Sequence, residues 1–516
     1  MSEQTIEAPR APQRSPGEEA PRSRRPLGEL LRAHPWLITG VALVVFSAIL
    51  VRWTNTRPGY DPYGWLNWGY QTWHGSLDLG GAPSWKPMTY LFDLPFTLFG
   101  HFALRLWMVF SVSVALSGSI FGGRIAYRLV AGEESAVAGA DGSGSRRWPA
   151  IVAAVFAGAA VLGIDQYFHL ILSVQSDPMI VSICLAAIDC HLSGHRRWAF
   201  WLGILGSLGR PEVWPFIGLY SLWLWREMPE MRKWLVAGWA LIVFAWFGIP
   251  TITNGRPLLA GDLAEKSPRM LHESKIIGTF HRFTGLTYLP IQLLALGAFV
   301  FAILRRRWPV ILMGSAVVLW MVVETAFVLH GWPGVPRYMF EPAGVLGVLA
   351  GIAVGWILVY VPRLGHGRVP SWIAVATVAV LVAVLIPGAI SRLRQEHKDL
   401  YHERGRTTVI ARLHAAIDHM GGASFIKYCG EPVTSVEYVS ILAYYTNLND
   451  GDVGHRPQFE RHLKHPTVFF TQLPNGWAAL PWHTKASKVA ACSKLKSLWI
   501  YTAPHPGGVL VPRTHL

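Results

Sequence analysis

Long apolar runs recur along this 516-residue chain, separated by short clusters of arginine and lysine, and that repetition limits the fold more than any other feature. A helix crossing the hydrocarbon of a bilayer needs about 20 apolar residues, at a rise of about 1.5 Å each. Runs of this kind centre on Leu37–Val51, Phe102–Ala126, Pro149–Leu162, Met179–Cys190, Trp198–Leu208, Val213–Leu224, Leu235–Pro250, Tyr288–Leu304, Val310–Leu329, Phe340–Val361 and Trp372–Ile390. Several fall short of a full span and must borrow interfacial residues at their ends. The expectation is an α-helical polytopic membrane protein with about eleven transmembrane helices.

Composition agrees. The chain is 52% hydrophobic and 15% charged, with a mean hydropathy of +0.31, against a charged share of about 25% in soluble domains. Its 24 tryptophans suit a protein with many interface crossings. The formal net charge of +15 does not point to nucleic acid, because the basic residues lie in short loops between apolar runs instead of forming a stripe. Residues 1–32 are rich in Pro, Glu and Arg and read as a disordered cytoplasmic tail. No small-residue cleavage site follows the first span, so that span is expected to stay as an anchor.

Orientation follows from the basic loops. Arg22, Arg24, Arg25 and Arg32 precede the first span, and alternate loops carry Arg124, Arg128, Arg146 and Arg147; His195, Arg196 and Arg197; Arg226, Arg232 and Lys233; Arg305, Arg306 and Arg307; and Arg363 and Arg368. The positive-inside rule makes that side cytoplasmic. The N-terminus is then expected inside and the C-terminal segment outside a plasma membrane; Arg52 and Arg57 break the pattern. Residues 33–390 form the expected membrane domain and 391–516 a small extracytoplasmic α/β domain. In the latter, Val409, Ile410, Leu413 and Ile417 have helical spacing, closed by Gly421-Gly422. Ser424–Tyr428, Thr467–Thr471 and Leu498–Thr502 read as strands. Cys429 and Cys492 are the only cysteines there, and a disulfide or two buried thiols are both compatible with the sequence. Cys184 and Cys190 read as packing within a span.

Each expected outer loop brings an ionisable residue close to a helix end, where it is costly unless it faces a wet cavity. The first loop holds Asp61 in Tyr-Asp-Pro-Tyr-Gly-Trp and Lys86 in Ser-Trp-Lys-Pro. An interfacial helix over Gly64–His74 would set Trp65, Trp68 and Trp73 at the headgroups. The second loop holds Asp165, His169 and Asp177; the third has Arg210 and Glu212 in Gly-Arg-Pro-Glu-Val-Trp. Asp262 and Lys266 follow in a longer loop, and Arg337 and Tyr338 in Pro-Gly-Val-Pro-Arg-Tyr. Each also has an ordinary reading. Asp177 before Pro178 suits an N-cap, Glu212 a helix N-terminus, Arg337 and Lys86 cations snorkelling to lipid phosphates, and Asp61 a turn. Their common sidedness favours a shared site. No zinc-type Cys/His spacing and no Gly-rich nucleotide loop is present.

In this order the motifs resemble the GT-C superfamily of integral-membrane glycosyltransferases, which take sugars from polyprenyl-phosphate carriers. The likeness rests on Tyr60-Asp61-Pro62 after the first span, Ser176-Asp177-Pro178 opening the fourth, Arg210-Pro211-Glu212 between the fifth and sixth, and Pro336-Arg337-Tyr338 before a late span. It covers roughly Trp36 to Ile390. It implies transfer of a sugar from a polyprenyl-phosphate donor to a glycan, lipid or protein acceptor of the cell envelope, with Asp61 as the base. The family's paired first-loop acids are not both here, since Asp78 is distant; no cofactor is named, and a divalent metal stays open. The chemistry is economical. A carboxylate takes the acceptor hydroxyl's proton while Arg337, Arg210 and Lys86 hold the leaving phosphate. Attack without a covalent enzyme intermediate inverts the anomeric centre. A transporter or lipid flippase is the main alternative and would use Glu324, the clearest mid-span acid, which the enzyme reading expects to be buried and paired. A non-catalytic envelope scaffold is the other.

Overall fold

The computed structural model describes residues 35–81, 85–141, 147–265, 274–364, 369–455, 466–474, 476–482, 492, 498–501 and 510–513. The N-terminal tail, residues 1–32, and Lys266 lie outside them. A helix falls on every apolar run anticipated above, but length and composition sort those helices into two groups. Among the described residues six are long and apolar enough to cross a membrane: Pro35–Thr54, Phe96–Val137, Pro229–Asn254, Trp308–His330, Pro336–Arg363 and Ser371–His419. The bent pair Lys275–Gly285 and Leu289–Arg305 makes a seventh if counted as one span. The helices Trp148–Leu162, Ser176–Leu192, Arg196–Gly209 and Trp214–Glu227 have 15, 17, 14 and 14 residues. At about 1.5 Å per residue these are shorter than a hydrocarbon core of about 30 Å.

The bundle is built around the Phe340–Tyr360 helix, which packs against Trp148–Leu162, Ala103–Asp141 and Leu289–Arg305. Its glycines 347, 351 and 355 recur every fourth residue and meet Ala153, Ala157 and Ala160. A Cβ at Gly351 would lie 2.6 Å from the Ala157 Cβ and 2.7 Å from the Ala153 carbonyl. Small residues at this spacing let two helix backbones approach where lipid gives no hydrophobic drive between them. On the rim, Leu222, Leu304 and Trp372 are largely exposed, as side chains facing lipid would be.

The final helix runs unbroken from Ser371 to His419, through the boundary placed near Ser391 in the sequence. Its distal end supplies Ile410, Leu413, Ala416 and Ile417 to a second hydrophobic core. Gly421, at φ +99°, follows its end, a left-handed position suited to glycine. Around that core lies a six-stranded sheet in the order β2-β1-β3-β4-β5-β6. The strands are β1 Glu431–Thr434, β2 Gly454–His455, β3 Thr467–Leu473, β4 Gly476–Trp482, β5 Leu498–Tyr501 and β6 Leu510–Arg513. β1 pairs parallel with β2 and β3; the rest pair antiparallel. Cys429 and Cys492 are joined by a disulfide, with 5.7 Å between their Cα atoms.

Two local expectations are corrected. Ser424–Tyr428 is not a strand but part of the Gly422–Cys429 helix, whose Ile426 and Cys429 face the core. A five-residue apolar run does not distinguish the two forms by periodicity. The first-loop helix spans Tyr60–Trp73 and is not interfacial over its length: Trp65 and Trp68 are fully buried and only Trp73 is exposed. Trp65 packs edge-on against Trp107, and Trp68 against Trp85.

Candidate active site

Several of the charged residues singled out in the sequence converge on Asp177. The Ser176–Leu192 helix begins with Gln175 as its N-cap, so Asp177 sits inside the first turn and its side chain is not a cap. The carboxylate is wholly buried and faces three cations instead. Arg210 forms a close ion pair with its Oδ1, Lys86 Nζ lies 3.7 Å from the same oxygen, and Arg337 Nη1 lies 3.8 Å from Oδ2. Lys86 Nζ also donates to Ser176 Oγ at 2.6 Å, and Arg337 Nη1 to Gln175 Oε1 at 3.2 Å. Neither cation is a snorkelling surface group.

Local structure explains this convergence. Pro87 keeps Lys86 extended at φ −137° and ψ 100°, and the following Pro87–Asp93 helix and the Trp85 Nε1–Ala245 carbonyl bond (2.9 Å) hold the turn against the bundle. Arg337 lies in a tight turn, Pro336–Met339, whose approach is fixed by Arg282 Nη1 donating to the Pro333 and Gly334 carbonyls at 2.9 and 2.8 Å. Arg210 and Glu212 flank Pro211 in the turn before the Trp214–Glu227 helix, and both are buried. Val174, between Ser173 and Gln175, has φ +60°. That conformation is rare for a β-branched residue and costs about 1–3 kcal/mol. The strain lies in the segment that presents Gln175, Ser176 and Asp177.

Arg210 is the hub. Besides Asp177 it reaches Glu212 Oε1 at 3.3 Å and Glu341 Oε1 at 3.4 Å, donates to the Arg337 carbonyl at 3.3 Å, and stacks over the Tyr338 ring at 4.4 Å. Burial works against its charge, but Asp177, Glu341 and Glu212 outweigh that and hold the guanidinium above its ordinary value. Burial pushes the Glu212 carboxyl up, with Arg210 opposing. Burial lowers Lys86; Asp177 opposes this, and Arg210 and Arg337 add to the lowering. The three cations thus converge on one buried carboxylate, Asp177.

Asp61 stands next to this cluster and apart from it. It lies in the first turn of the Tyr60–Trp73 helix, half-buried, with no hydrogen bond or ion pair among the described residues. Gly59 N donates to the Ser173 carbonyl at 3.3 Å, and the Gly59 Cα faces the Gln175 amide, which ties the start of this helix to the Asp177 loop.

The remaining candidates lie elsewhere. Asp165 faces Arg392 at 3.8 Å and His169 faces Glu403 at 3.9 Å, both on the long final helix. Asp262 is exposed, in Leu259–Glu265, with no ion pair among the described residues. Glu324 is fully buried near Arg210, Glu212 and Glu341, but neither carboxylate oxygen has a hydrogen-bond partner among the described residues. It is therefore buried and not paired. Glu341 belongs to the cluster and was not anticipated. The signal was present: Glu341-Pro342 opens a helix just as Asp61-Pro62 and Asp177-Pro178 do.

Among the described residues no group of three or more His, Cys, Asp or Glu side chains is arranged to hold a metal ion. Asp78, the nearest thing to a second first-loop acid, accepts from Gly80 N at 2.8 Å and Asn254 Nδ2 at 3.1 Å. The donor set does not fit a metal bound through Asp61.

No family model and no curated protein matches this chain. Among solved structures, it is similar to ArnT from Cupriavidus metallidurans bound to undecaprenyl phosphate. The identity is 14%, over 91% of this chain and 97% of that one, with a TM-score of 0.48. The apo state of the same protein gives 15% identity over 90% and 95% of the two chains, again with a TM-score of 0.48.

Proposed function

We propose that this chain is a membrane glycosyltransferase that moves a sugar from a polyprenyl-phosphate donor to a glycan, lipid or protein acceptor of the cell envelope, on the outer face of the plasma membrane. The observation that carries this reading is a half-buried carboxylate, Asp61, without a hydrogen bond or ion pair among the described residues, at the start of a helix that the Gly59 N–Ser173 carbonyl bond ties to the loop holding Asp177 and its three cations. The acceptor oxygen attacks the anomeric carbon and the bond from that carbon to the phosphate oxygen breaks. Asp61 takes the hydroxyl proton, and the polyprenyl phosphate leaves as an anion. Arg337 offers a planar guanidinium to the phosphate oxygens and Lys86 a point charge, both already oriented before the reaction. Arg210 is spent on three carboxylates, so its role is to fix Asp177 and, through it, the two outer cations. One displacement with no covalent enzyme intermediate inverts the sugar.

The test is Asp61→Asn, which keeps size but cannot take a proton at neutral pH. The purified chain in nanodiscs is assayed with a panel of polyprenyl-phosphate hexoses and pentoses, with binding of undecaprenyl phosphate followed separately. Transfer is expected to fall about 10²–10⁴-fold while binding is retained. Asp78→Asn, in the same loop, is the control and is expected to be mild. Near-normal transfer by Asp61→Asn would remove Asp61 as the base and overturn this reading.

A further inference from the structure

The helix that carries Asp61 is gripped from the far side by the C-terminal part of the chain. Asn67, six residues beyond Asp61 and buried, donates from Nδ2 to Asp450 Oδ1 at 3.2 Å and to the Ser440 carbonyl at 3.3 Å. The next residue, Gly451, presses on the turn after this helix: a Cβ on Gly81 would lie 2.4 Å from the Gly451 Cα and 2.8 Å from the Asp450 carbonyl. Gly81 is at φ +74°, so this approach requires glycine twice over, by contact and by backbone conformation. The dipeptide Asp450-Gly451 thus contacts the middle of the Tyr60–Trp73 helix, at Asn67, and the turn at Gly81 that follows it. At the helix start, Arg57 Nη1 donates to the Tyr445 hydroxyl at 2.6 Å and Arg57 N to Thr407 Oγ1 at 2.7 Å. Tyr63 is fully buried in the C-terminal core, against Tyr444 and Tyr445.

Packing alone would dock this helix through Tyr63. The buried polar pair does something packing does not: a hydrogen bond between two buried groups fixes register and rotation, because any slip leaves both unsatisfied. Rotation of this helix sets where Asp61, two residues before Tyr63, points. Resting on the reading of Asp61 as the base, we propose that Asn67 and Asp450 are positioning residues for catalysis, and that the C-terminal part of the chain aims the carboxylate at the acceptor hydroxyl. Burial pushes the Asp450 carboxyl up to about 7, so asparagine is a close mimic that can still accept from Asn67.

The experiment compares Asn67→Ala, Asp450→Leu and Asp450→Asn with the wild type in nanodiscs. The first readout is amide hydrogen exchange over residues 57–73. Asn67→Ala and Asp450→Leu are expected to speed it about tenfold, the worth of one buried hydrogen bond, with protection of residues 409–418 unchanged. The second is transfer from the polyprenyl-phosphate sugar panel: kcat is expected to fall about tenfold with KM unchanged, and Asp450→Asn to stay within about threefold of wild type. Unchanged exchange over 57–73, equal changes in kcat and KM, or Asp450→Asn as impaired as Asp450→Leu would overturn the proposal. If Asp450→Leu does not fold, Asn67→Ala carries the comparison. If the wild type transfers no sugar from the panel, the base reading of Asp61 fails and the positioning proposal falls with it, while faster exchange would leave a purely structural latch.

Discussion

Arg210→Leu isolates what the buried hub contributes. The substitution roughly preserves volume but removes the one cation shared by Asp177, Glu212 and Glu341, each at most 3% exposed. Losing one partner of a buried pair costs about 3–5 kcal/mol, because a charge is left without compensation. Three pairs are lost here, but the costs do not add. Asp177 keeps Lys86 and Arg337 within 4 Å, and Glu212, already pushed up by burial, escapes its penalty by taking a proton. The expected loss is therefore that of about one pair, roughly 3–5 kcal/mol. The sign of its pH dependence follows. Without Arg210 the Glu212 carboxyl is raised still further in the folded state than in the unfolded one. Its contribution is intact below the unfolded value and is lost as pH rises through the folded one. The deficit of Arg210→Leu should thus be larger at pH 8 than at pH 5, and Arg210→Leu/Glu212→Gln should recover part of it at pH 8. Equilibrium unfolding in mixed detergent micelles measures both. A variant as stable as wild type at pH 8, or one whose deficit grows on acidification, would refute the charge-compensation argument.

In the proposed mechanism Arg337 holds the donor phosphate before and during departure, so Arg337→Ala should lower undecaprenyl phosphate affinity and transfer rate, by about tenfold or more each, in binding and turnover assays. Cys429→Ser/Cys492→Ser opens a link across a sequence separation of 63 residues. Chain entropy puts its value near 4 kcal/mol, read as a lower unfolding midpoint of the C-terminal part.

The membrane class was legible because it depends on composition and on apolar run length, both one-dimensional properties. The turns at Arg210 and Arg337 could be located for a similar reason: proline fixes the local backbone, and the arginine beside it is visible in the sequence; the first-loop helix, expected from Gly64, begins four residues earlier at Tyr60. What those residues do with their charges was not legible. Asp177 in Ser-Asp-Pro reads as a cap on local grounds, yet its partners come from residues 86, 210 and 337. Trp65 and Trp68 look interfacial until Trp107 and Trp85 cover them. Arg57 violates the charge rule for loops, and its reason lies 388 residues away at Tyr445. In each case the deciding contact is long-range, and propensity or sidedness carries no record of it.

Glu324 separates an enzyme from a transporter. It lies within the Trp308–His330 span, fully buried, with both carboxylate oxygens lacking a hydrogen-bond partner among the described residues. A transporter that cycles protons or ions through the membrane needs such a group to change its charge in each cycle, so Glu324→Gln would abolish coupled movement of its substrate. On the proposed glycosyltransferase reading the same residue has no part in holding donor or acceptor. It adds a fourth carboxyl to the surroundings of an arginine that already holds three. Replacing an unpartnered buried carboxyl by a neutral amide of the same shape should then leave stability unchanged or raised by up to about 1–2 kcal/mol, since a desolvation cost disappears with no pair broken. Transfer should stay within about threefold of wild type, a change too small for loss of a group acting in the transition state. The measurements are turnover with the polyprenyl-phosphate panel and the unfolding midpoint of the same preparation. Loss of turnover with an unchanged midpoint would place Glu324 in the working cycle, and the site built on Asp61 would then not account for the activity.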